Sequence, residues 1–163
     1  MAYHRILIKL SGEALADNHA KTILESDHLS RVAKAIKRIH DRGIQVSIVI
    51  GAGNIWRGKL ARSIGIEAST ADYMGMLGTI INSLALQSAL ENEGVQCRVL
   101  SSIHVEQVAE NYIRRRAIRH LEKGRVVIFA GGNRITVFLH RDHRLITRDG
   151  NSSRSDLHGE KWG

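Results

Sequence analysis

The feature that most constrains this chain is a repeated alternation of short apolar runs with longer segments of helical periodicity. The apolar runs lie at residues 5–10, 45–50, 96–100 and 125–130. Apolar residues recur at helical spacing in three intervening segments, 29–39, 71–90 and 112–121. Strands that are apolar almost throughout and that alternate with helices favour a mostly parallel sheet covered on both faces. The sequence therefore predicts an α/β fold, a three-layer αβα sandwich.

Local signals place the ends of the helices. Ser26-Asp27 predicts an N-cap for the first helix, and Gly43 is a plausible C-cap. Gly94 follows the long second helix, and Gly124 follows the third. The long helix is expected to have one apolar face, formed by Met74, Leu77, Ile81, Leu84 and Ala85.

The first glycine-bearing turn is Lys9-Leu10-Ser11-Gly12, at the end of the first strand. In sheets of this kind ligands bind beyond the carboxyl ends of the strands. Backbone N–H groups in such a turn can approach phosphate oxygens while a lysine neutralises their charge. A solvated lysine followed by an ordinary turn explains the same residues, so this motif is weak on its own.

The second turn, Gly51-Ala52-Gly53-Asn54-Ile55-Trp56-Arg57-Gly58, is more specific. Small residues directly after a buried strand let the backbone approach a ligand closely. Arg57 follows at a distance that suits a forked pair of hydrogen bonds to a phosphate. The glycine spacing is not that of a dinucleotide-binding fingerprint, and no Gly-Lys-Ser/Thr ends the turn as in a Walker A loop. The alternative is a glycine-rich turn with a surface arginine.

Two further features have mainly structural explanations. Asp72 lies near the start of the long helix, where a cap or a first-turn acid is favoured by the helix dipole. It could also accept hydrogen bonds from a ribose or a base. The basic cluster at residues 114–125 is more often a solvated helix face or a subunit contact than a catalytic site.

Composition limits the class of protein. The net charge of +8 is compatible with nucleic-acid binding, but only 4% of residues are aromatic and no stacking platform is visible. A site for small anionic ligands explains the charge equally well, so nucleic acid is not the expected main partner. Cys97 is the single cysteine, which fits a reducing compartment, and no segment reaches the length of a membrane span. We therefore expect a cytoplasmic protein without a membrane partner.

Taken together, the segments resemble the bacterial uridylate (UMP) kinases of the amino-acid kinase family. The matching stretches are residues 5–14, 51–58, 71–77, 107–110 and 112–132. So many matches in the same order are more specific than any one motif.

The resemblance implies transfer of the γ-phosphoryl group of ATP to UMP, with Mg²⁺ bound to ATP and no separate metal site in the protein. Lys9 and Arg57 would be the catalytic cations. ATP would be bound by Lys9, Leu10, Ser11, Gly12, Gly53 and Arg57. UMP would be bound by Ala52 and Asp72. The family is cytoplasmic and usually homohexameric. Such a transfer relies on positioning and charge neutralisation and needs no covalent nucleophile.

The chain departs from the family pattern in ways that matter. Ala52 replaces a glycine, which is expected to crowd the UMP phosphate or to restrict φ. After Gly132 the family continues with a UMP-holding Thr-Gly-x-Pro segment and about a hundred ATP-binding residues, and this sequence does not. Read one base later with permitted codons, the tail can encode that segment, so we hypothesise one inserted base near codon 132. Sequencing codons 130–136 tests this hypothesis.

We therefore expect residues 1–132 to form the N-terminal, UMP-binding part of an amino-acid kinase domain whose C-terminal half is missing. Residues 133–163 are expected to be a divergent tail that is not native-like, and this truncated chain is expected to have little or no activity alone. Two alternatives remain: a family member that phosphorylates a carboxylate or carbamate, and a basic nucleic-acid-binding module.

Overall fold

The computed structural model describes residues 4–17, 19–132 and the backbone strand 144–147. The strands are β1 (Arg5–Leu10), β2 (Gln45–Ile50), β3 (Cys97–Ser101), β4 (Glu110–Asn111), β5 (Val126–Ala130) and β6 (Arg144–Thr147). The helices are α1 (Ser26–His40), α2 (Gly58–Ser63), α3 (Ala68–Asn92) and α4 (Arg114–Glu122), and a short 3₁₀ turn covers Gly12–Leu15. All four strands and all three helices expected from the sequence are present.

The strands form one sheet in the order β4-β3-β5-β2-β1-β6, and every pairing among them is parallel. Parallel strands need crossover connections, which the helices supply on both faces. One apolar core joins α1 and α3 to the sheet, and a second core joins α4 to the opposite face through Ala117 and Leu121. The three-layer αβα sandwich is confirmed.

The carboxyl ends of β5, β2 and β1 are neighbours at one edge of this sheet. Leu10 pairs with Ile50, so the first two strands end at the same level. The turns that follow these strands are therefore brought together by the sheet itself. The candidate functional site lies at this edge.

Helix α3 turns a different face to the core from the one that the sequence predicts. Leu77 and Ile81 are 47% and 49% exposed. The buried positions are instead Ala71, Gly78, Ile80, Asn82, Ser83, Leu86 and Leu90. Residues 73–90 contain no charged side chain. Since the helix has no charged side to mark the solvent, its periodicity could not distinguish the buried face from the exposed one.

Two expected helix caps are also wrong. Glu25 caps α1, because its carboxylate accepts hydrogen bonds from the backbone N–H groups of Asp27 and His28 at 3.0 and 2.8 Å. These two hydrogen bonds hold the pKa of Glu25 below its usual value. Helix α3 begins at Ala68, so Asp72 lies in the second turn and is not a cap. The sequence analysis placed both helix starts too late in the chain, because the apolar pattern begins after the N-cap residues Glu25 and Glu67.

The tail after Gly132 enters the described residues only as β6, which pairs with β1 from Ile6 to Lys9. The sequence did not predict this strand. The other tail residues, and with them the frame-shift hypothesis, lie outside the described residues. The division at residue 132 stays a prediction.

Cys97 is fully buried in β3, and burial raises the pKa of its thiol to about 12. A thiol of this kind does not react in the folded protein because the reactive thiolate is scarce and inaccessible. Within the described part of the chain, no helix is long and apolar enough to cross a membrane.

Candidate phosphate-binding site

The turns after β1 and β2 are in direct contact. The N–H of Gly51 donates to the carbonyl oxygen of Leu10 at 3.0 Å. A Cβ on Gly12 would lie 2.3 Å from Asn54 Oδ1 and 2.5 Å from the Gly51 carbonyl oxygen. Real side chains do not tolerate such distances, so glycine at position 12 is required by the packing of one turn on the other.

A pair of asparagine side chains, which the sequence analysis did not assign, lies under this contact. Asn82 Nδ2 donates to the Gly51 carbonyl at 2.7 Å and to Asn54 Oδ1 at 2.8 Å. Asn54 Nδ2 donates to Asn82 Oδ1 at 3.0 Å and to the carbonyl of Ile23 at 2.8 Å. The signal that could have found the pair is a carboxamide at position 82 of an otherwise uncharged helix, because a buried amide must find partners.

The outer side of the second turn is open. Gly51 and Gly53 both have negative φ, because neither is among the positive-φ glycines. A Cβ on Gly51 would lie 3.6 Å from the Gly12 nitrogen, on the side of the first turn, and one on Gly53 would lie 3.8 Å from the exposed Glu13 carboxylate. Neither backbone strain nor protein packing requires glycine there, so the missing side chains leave room for a ligand to approach.

Arg57 is held over this open side. Its Nε donates to the Gly53 carbonyl at 3.2 Å, and its Nη2 lies 2.7 Å from Glu13 Oε1. The side chains of Arg57 and Glu13 are 67% and 44% exposed, so the ion pair is screened by solvent. Within the described residues, Nη1 of Arg57 has no protein partner, and its two N–H groups are available to an anion.

The tryptophan before Arg57 links the turn to helix α3. Trp56 Nε1 donates to the carbonyl of Ala71 at 3.0 Å. Asp72 is the next residue and is exposed. The structure therefore brings the start of α3, with Asp72, beside the glycine turn, although it shows no direct contact of Asp72 with that turn.

The residues of the first turn point in different directions. Lys9 is exposed near the end of β1, and Ser11 caps the 3₁₀ turn by accepting a hydrogen bond from the N–H of Glu13 at 3.3 Å. Gly12 is buried against the asparagine pair. Among residues 9–12 of this turn, Lys9 alone offers a cation at the sheet edge.

Ala52 does not strain the backbone. Lys21 is the one non-glycine residue with positive φ among the described residues, so Ala52 has a φ that non-glycine residues adopt readily. A Cβ on Gly78 would lie 2.9 Å from the Ala52 methyl group, and α3 therefore approaches the turn at this point. The Ala52 methyl fits the space that Gly78 leaves on the helix.

A third glycine turn follows β5, next to β2. Gly131 and Gly132 have φ of 89° and 111°, which only glycine adopts readily. The N–H of Gly131 donates to Thr79 Oγ1 at 2.8 Å, and Ser102 Oγ donates to the carbonyl of Gly131 at 2.5 Å. The adjacent strands β5, β2 and β1 thus each end in a glycine-bearing turn at the same edge of the sheet.

The basic cluster on α4 pairs in part with a glutamate on β4. Glu110 accepts from His120 Nε2 at 3.1 Å and lies 3.8 Å from Arg116 Nε. Arg125 donates to His120 Nδ1 at 2.9 Å. Part of the cluster thus neutralises Glu110 on the edge strand β4, in accord with the structural explanation. Among the residues described, no three His, Cys, Asp or Glu side chains converge to hold a metal ion.

The chain is similar to several proteins of known family. The profile of the Amino acid kinase family matches residues 4–145. A uridylate kinase from Limosilactobacillus reuteri is 55% identical over 130 residues, which cover 80% of this chain and 54% of that protein. The UMP kinase structure from Bacillus anthracis superposes with a TM-score of 0.77 at 51% identity, covering 82% of this chain and 55% of the other.

The UMP kinase structure from Ureaplasma parvum superposes with a TM-score of 0.75 at 38% identity, covering 81% of this chain and 57% of the other. The chain thus spans about half the length of the relatives that it matches. A family profile that extends over most of the sequence, together with these superpositions, shows the family directly. The chain belongs to the amino acid kinase family.

Proposed function

We propose that this chain carries the UMP- and phosphate-binding part of a kinase that transfers the γ-phosphoryl group of ATP to UMP. The observation that carries the proposal is the open side of the Gly51–Gly53 turn with Arg57 held above it. Relatives named uridylate or UMP kinase, at up to 55% identity, support the choice of nucleotide.

The proposed reaction needs positioned charges more than reactive side chains. An oxygen of the UMP phosphate forms a bond to the γ-phosphorus of ATP, and the bond from that phosphorus to the β,γ-bridging oxygen breaks, which gives UDP and ADP. Lys9 and Arg57 would neutralise the charge on the transferring group, and Leu10, Ser11, Gly12 and Gly53 would shape the ATP-phosphate side. Ala52 and Asp72 would contact UMP. Mg²⁺ would arrive on the ATP phosphates and reduce their charge.

The contacts of Arg57 suit a phosphate ligand. The Gly53 carbonyl and Glu13 hold one edge of the guanidinium, and Nη1 is left to donate to an anion. Because a guanidinium can bind two phosphate oxygens at once, an edge presented in this way gives both charge and orientation. Removing Arg57 should therefore weaken the phosphate contribution to binding and leave the nucleoside contribution largely intact.

Calorimetric titration tests the site on the 163-residue chain. We expect UMP to bind more tightly than uridine, and Arg57→Ala to remove most of that difference. The matched control is Arg62→Ala, which removes an exposed arginine from α2. Equal affinity for UMP and uridine, or equal effects of the two substitutions, would contradict the proposed phosphate site.

An ADP-release assay tests turnover. We propose that the 163-residue chain has little or no activity alone, because it spans only about half the length of the relatives that it matches. UMP-dependent ADP release that disappears in Arg57→Ala would overturn this expectation. Acetylglutamate and aspartate in place of UMP test the carboxylate-kinase alternative, and salt-dependent RNA or DNA binding tests the nucleic-acid alternative.

We further propose that the protein is cytoplasmic and that it self-associates through the exposed face of α3. Tyr73, Leu77 and Ile81 follow one another at intervals of four residues and are 60%, 47% and 49% exposed. Residues 73–90 carry no charge, so the same face on a second copy could pack on it without burying an ion.

Sedimentation velocity tests the self-association. We expect Leu77→Glu to shift the protein towards the monomer, because it would bury two carboxylates across a two-fold contact. The matched control is Val108→Glu, at a residue that is also 49% exposed but lies outside α3. A wild-type chain that is monomeric at tens of micromolar would contradict the proposed contact.

A further inference from the structure

Asn82 is an unusual residue for its position. It is fully buried in the middle of α3, within a stretch that contains no charged residue. A buried carboxamide is destabilising unless its N–H and C=O groups are paired. Its partners lie in the Gly51–Asn54 turn. The helix therefore makes a polar contact with the turn at this point, where an apolar side chain would have been the simpler choice.

The orientation of both amides is fixed by their neighbours. Each Nδ2 group faces a backbone carbonyl, that of Gly51 for Asn82 and that of Ile23 for Asn54. A flipped amide would place two acceptor oxygens against each other, so only one arrangement satisfies the network. The two side chains then hydrogen-bond each other reciprocally at 2.8 and 3.0 Å.

This contact sets the plane of one peptide group. In a trans peptide the C=O and the following N–H point in opposite directions, and no cis peptide is present among the described residues. Because Asn82 holds the Gly51 carbonyl toward the helix, the N–H of Ala52 points away from α3. That side of the turn is where we place the phosphate site proposed above.

The same pair fixes the distance between the two turns. Gly12 packs so closely on Asn54, on Asn82 Nδ2 and on the Gly51 carbonyl that no Cβ fits. Any movement of the Gly51 carbonyl away from Asn82 would therefore also disturb Gly12. One buried side chain on the helix thus controls the alignment of both turns.

We propose that Asn82 is a positioning residue of the phosphate site, which orients the Gly51–Ala52 peptide so that the Ala52 N–H is presented to a phosphate oxygen. This inference rests on the proposed function for the identity of the ligand, and on the asparagine contacts for the geometry. Backbone N–H groups oriented before the ligand arrives are effective anion donors because they need no reorganisation on binding.

Amide hydrogen exchange combined with UMP titration tests the proposal on the 163-residue chain. Asn82→Ala should accelerate exchange of the amides of Ile55 and Trp56, which donate to the carbonyl of Ala52, by about tenfold or more, while the amides of β5 stay protected. It should also weaken UMP binding by about tenfold and change uridine binding little. The matched control is Ser83→Ala, a buried neighbour that bonds within α3 to the carbonyl of Thr79. It should change neither readout.

Hydrogen exchange and UMP titration together distinguish a failure of the proposed function from a failure of the proposed positioning role. Faster exchange at Ile55 and Trp56 in Asn82→Ala, without any UMP binding by the wild type, would contradict the proposed function and leave the role of the Asn82 contact in the turn intact. Uniform acceleration in the turn and in β5, or equal effects of Asn82→Ala and Ser83→Ala, would overturn the positioning role. If Asn82→Ala is insoluble, Asn54→Ala applies the same comparison from the partly exposed side of the pair, with the same two outcomes.

Discussion

The inner and outer sides of the turn after β2 use small residues for different reasons. On the inner side, the turn touches Gly12 and Gly78, where an added Cβ would lie 2.3 and 2.9 Å from its nearest atoms. On the outer side, Gly53 has ordinary spacing and an unstrained backbone. Inner glycines are thus explained by protein packing, and the outer one by space that the protein itself does not use. The sequence alone does not distinguish glycines that packing requires from glycines that leave space for a ligand.

The largest expected effect is that of Gly12→Ala. Because the new methyl would collide with a backbone carbonyl and with both asparagines, the variant should lose about 3 kcal/mol or more of unfolding free energy. Urea unfolding measures the loss, and labelling of Cys97 reports it independently, since this buried thiol reacts only when the core opens. A loss below about 0.5 kcal/mol would show that the inner side is not tightly packed.

The next effect is a coupling between positions 52 and 78. Gly78→Ala should destabilise the chain by about 1–3 kcal/mol, because its methyl would meet that of Ala52. Adding Ala52→Gly should restore most of the loss, since it removes the colliding group. The double-mutant cycle from urea unfolding gives the coupling free energy. Additive effects would contradict the contact between the helix and the turn.

On the outer side, Gly53→Ala should change the unfolding free energy by no more than about 0.5 kcal/mol. Its methyl would instead occupy the approach to the turn, so affinity for nucleotide phosphates should fall by about tenfold. The effect should be greater for ATP than for UMP, following the role implied for this glycine. Thermal unfolding and titration of the same sample compare the two effects. A large loss of stability with unchanged binding would reverse our assignment of the two sides.

The smallest expected effect concerns the exposed ion pair above the turn. Glu13→Gln should lower the unfolding free energy by no more than about 0.5 kcal/mol, since both partners are largely solvated. The difference should disappear in about 1 M salt, where the Debye length is about 3 Å. Urea unfolding at low and high salt measures it. A salt-independent loss would indicate a structural role that the exposed geometry does not provide.

The sequence was sufficient for the parts of the fold that are set by local pattern. The apolar runs predicted β1 and β2 at their observed bounds. The glycine turns predicted the edge of the sheet at which the candidate phosphate site lies. Arg57 follows Gly53 by a few residues in the chain, and the two are joined by a hydrogen bond, while their roles at a phosphate stay predictions. These features depend on neighbours in the chain, which a single sequence displays.

Features that depend on tertiary contact could not be obtained in this way. The buried face of α3 was predicted wrongly because residues 73–90 carry no charge that would mark the solvent-exposed side. Leu77 and Ile81, which were predicted to be buried, are exposed. Asn82 acquires its role from a turn that precedes it by about thirty residues, and Gly12 from the same turn. Ala52 was expected to crowd the UMP phosphate or to restrict φ, and the contact of its methyl group with Gly78 on another element could not be predicted.

Amide chemical-shift mapping of the ¹⁵N-labelled chain during titration with UMP, with uridine as the control ligand, tests the central claim most directly. We predict that UMP shifts the signals of residues 11–13 and 51–57, and that uridine leaves most of them unchanged, because the phosphate is what these turns bind. Equal shifts with both ligands, or shifts confined to residues outside these two turns, would contradict the phosphate site at this edge of the sheet.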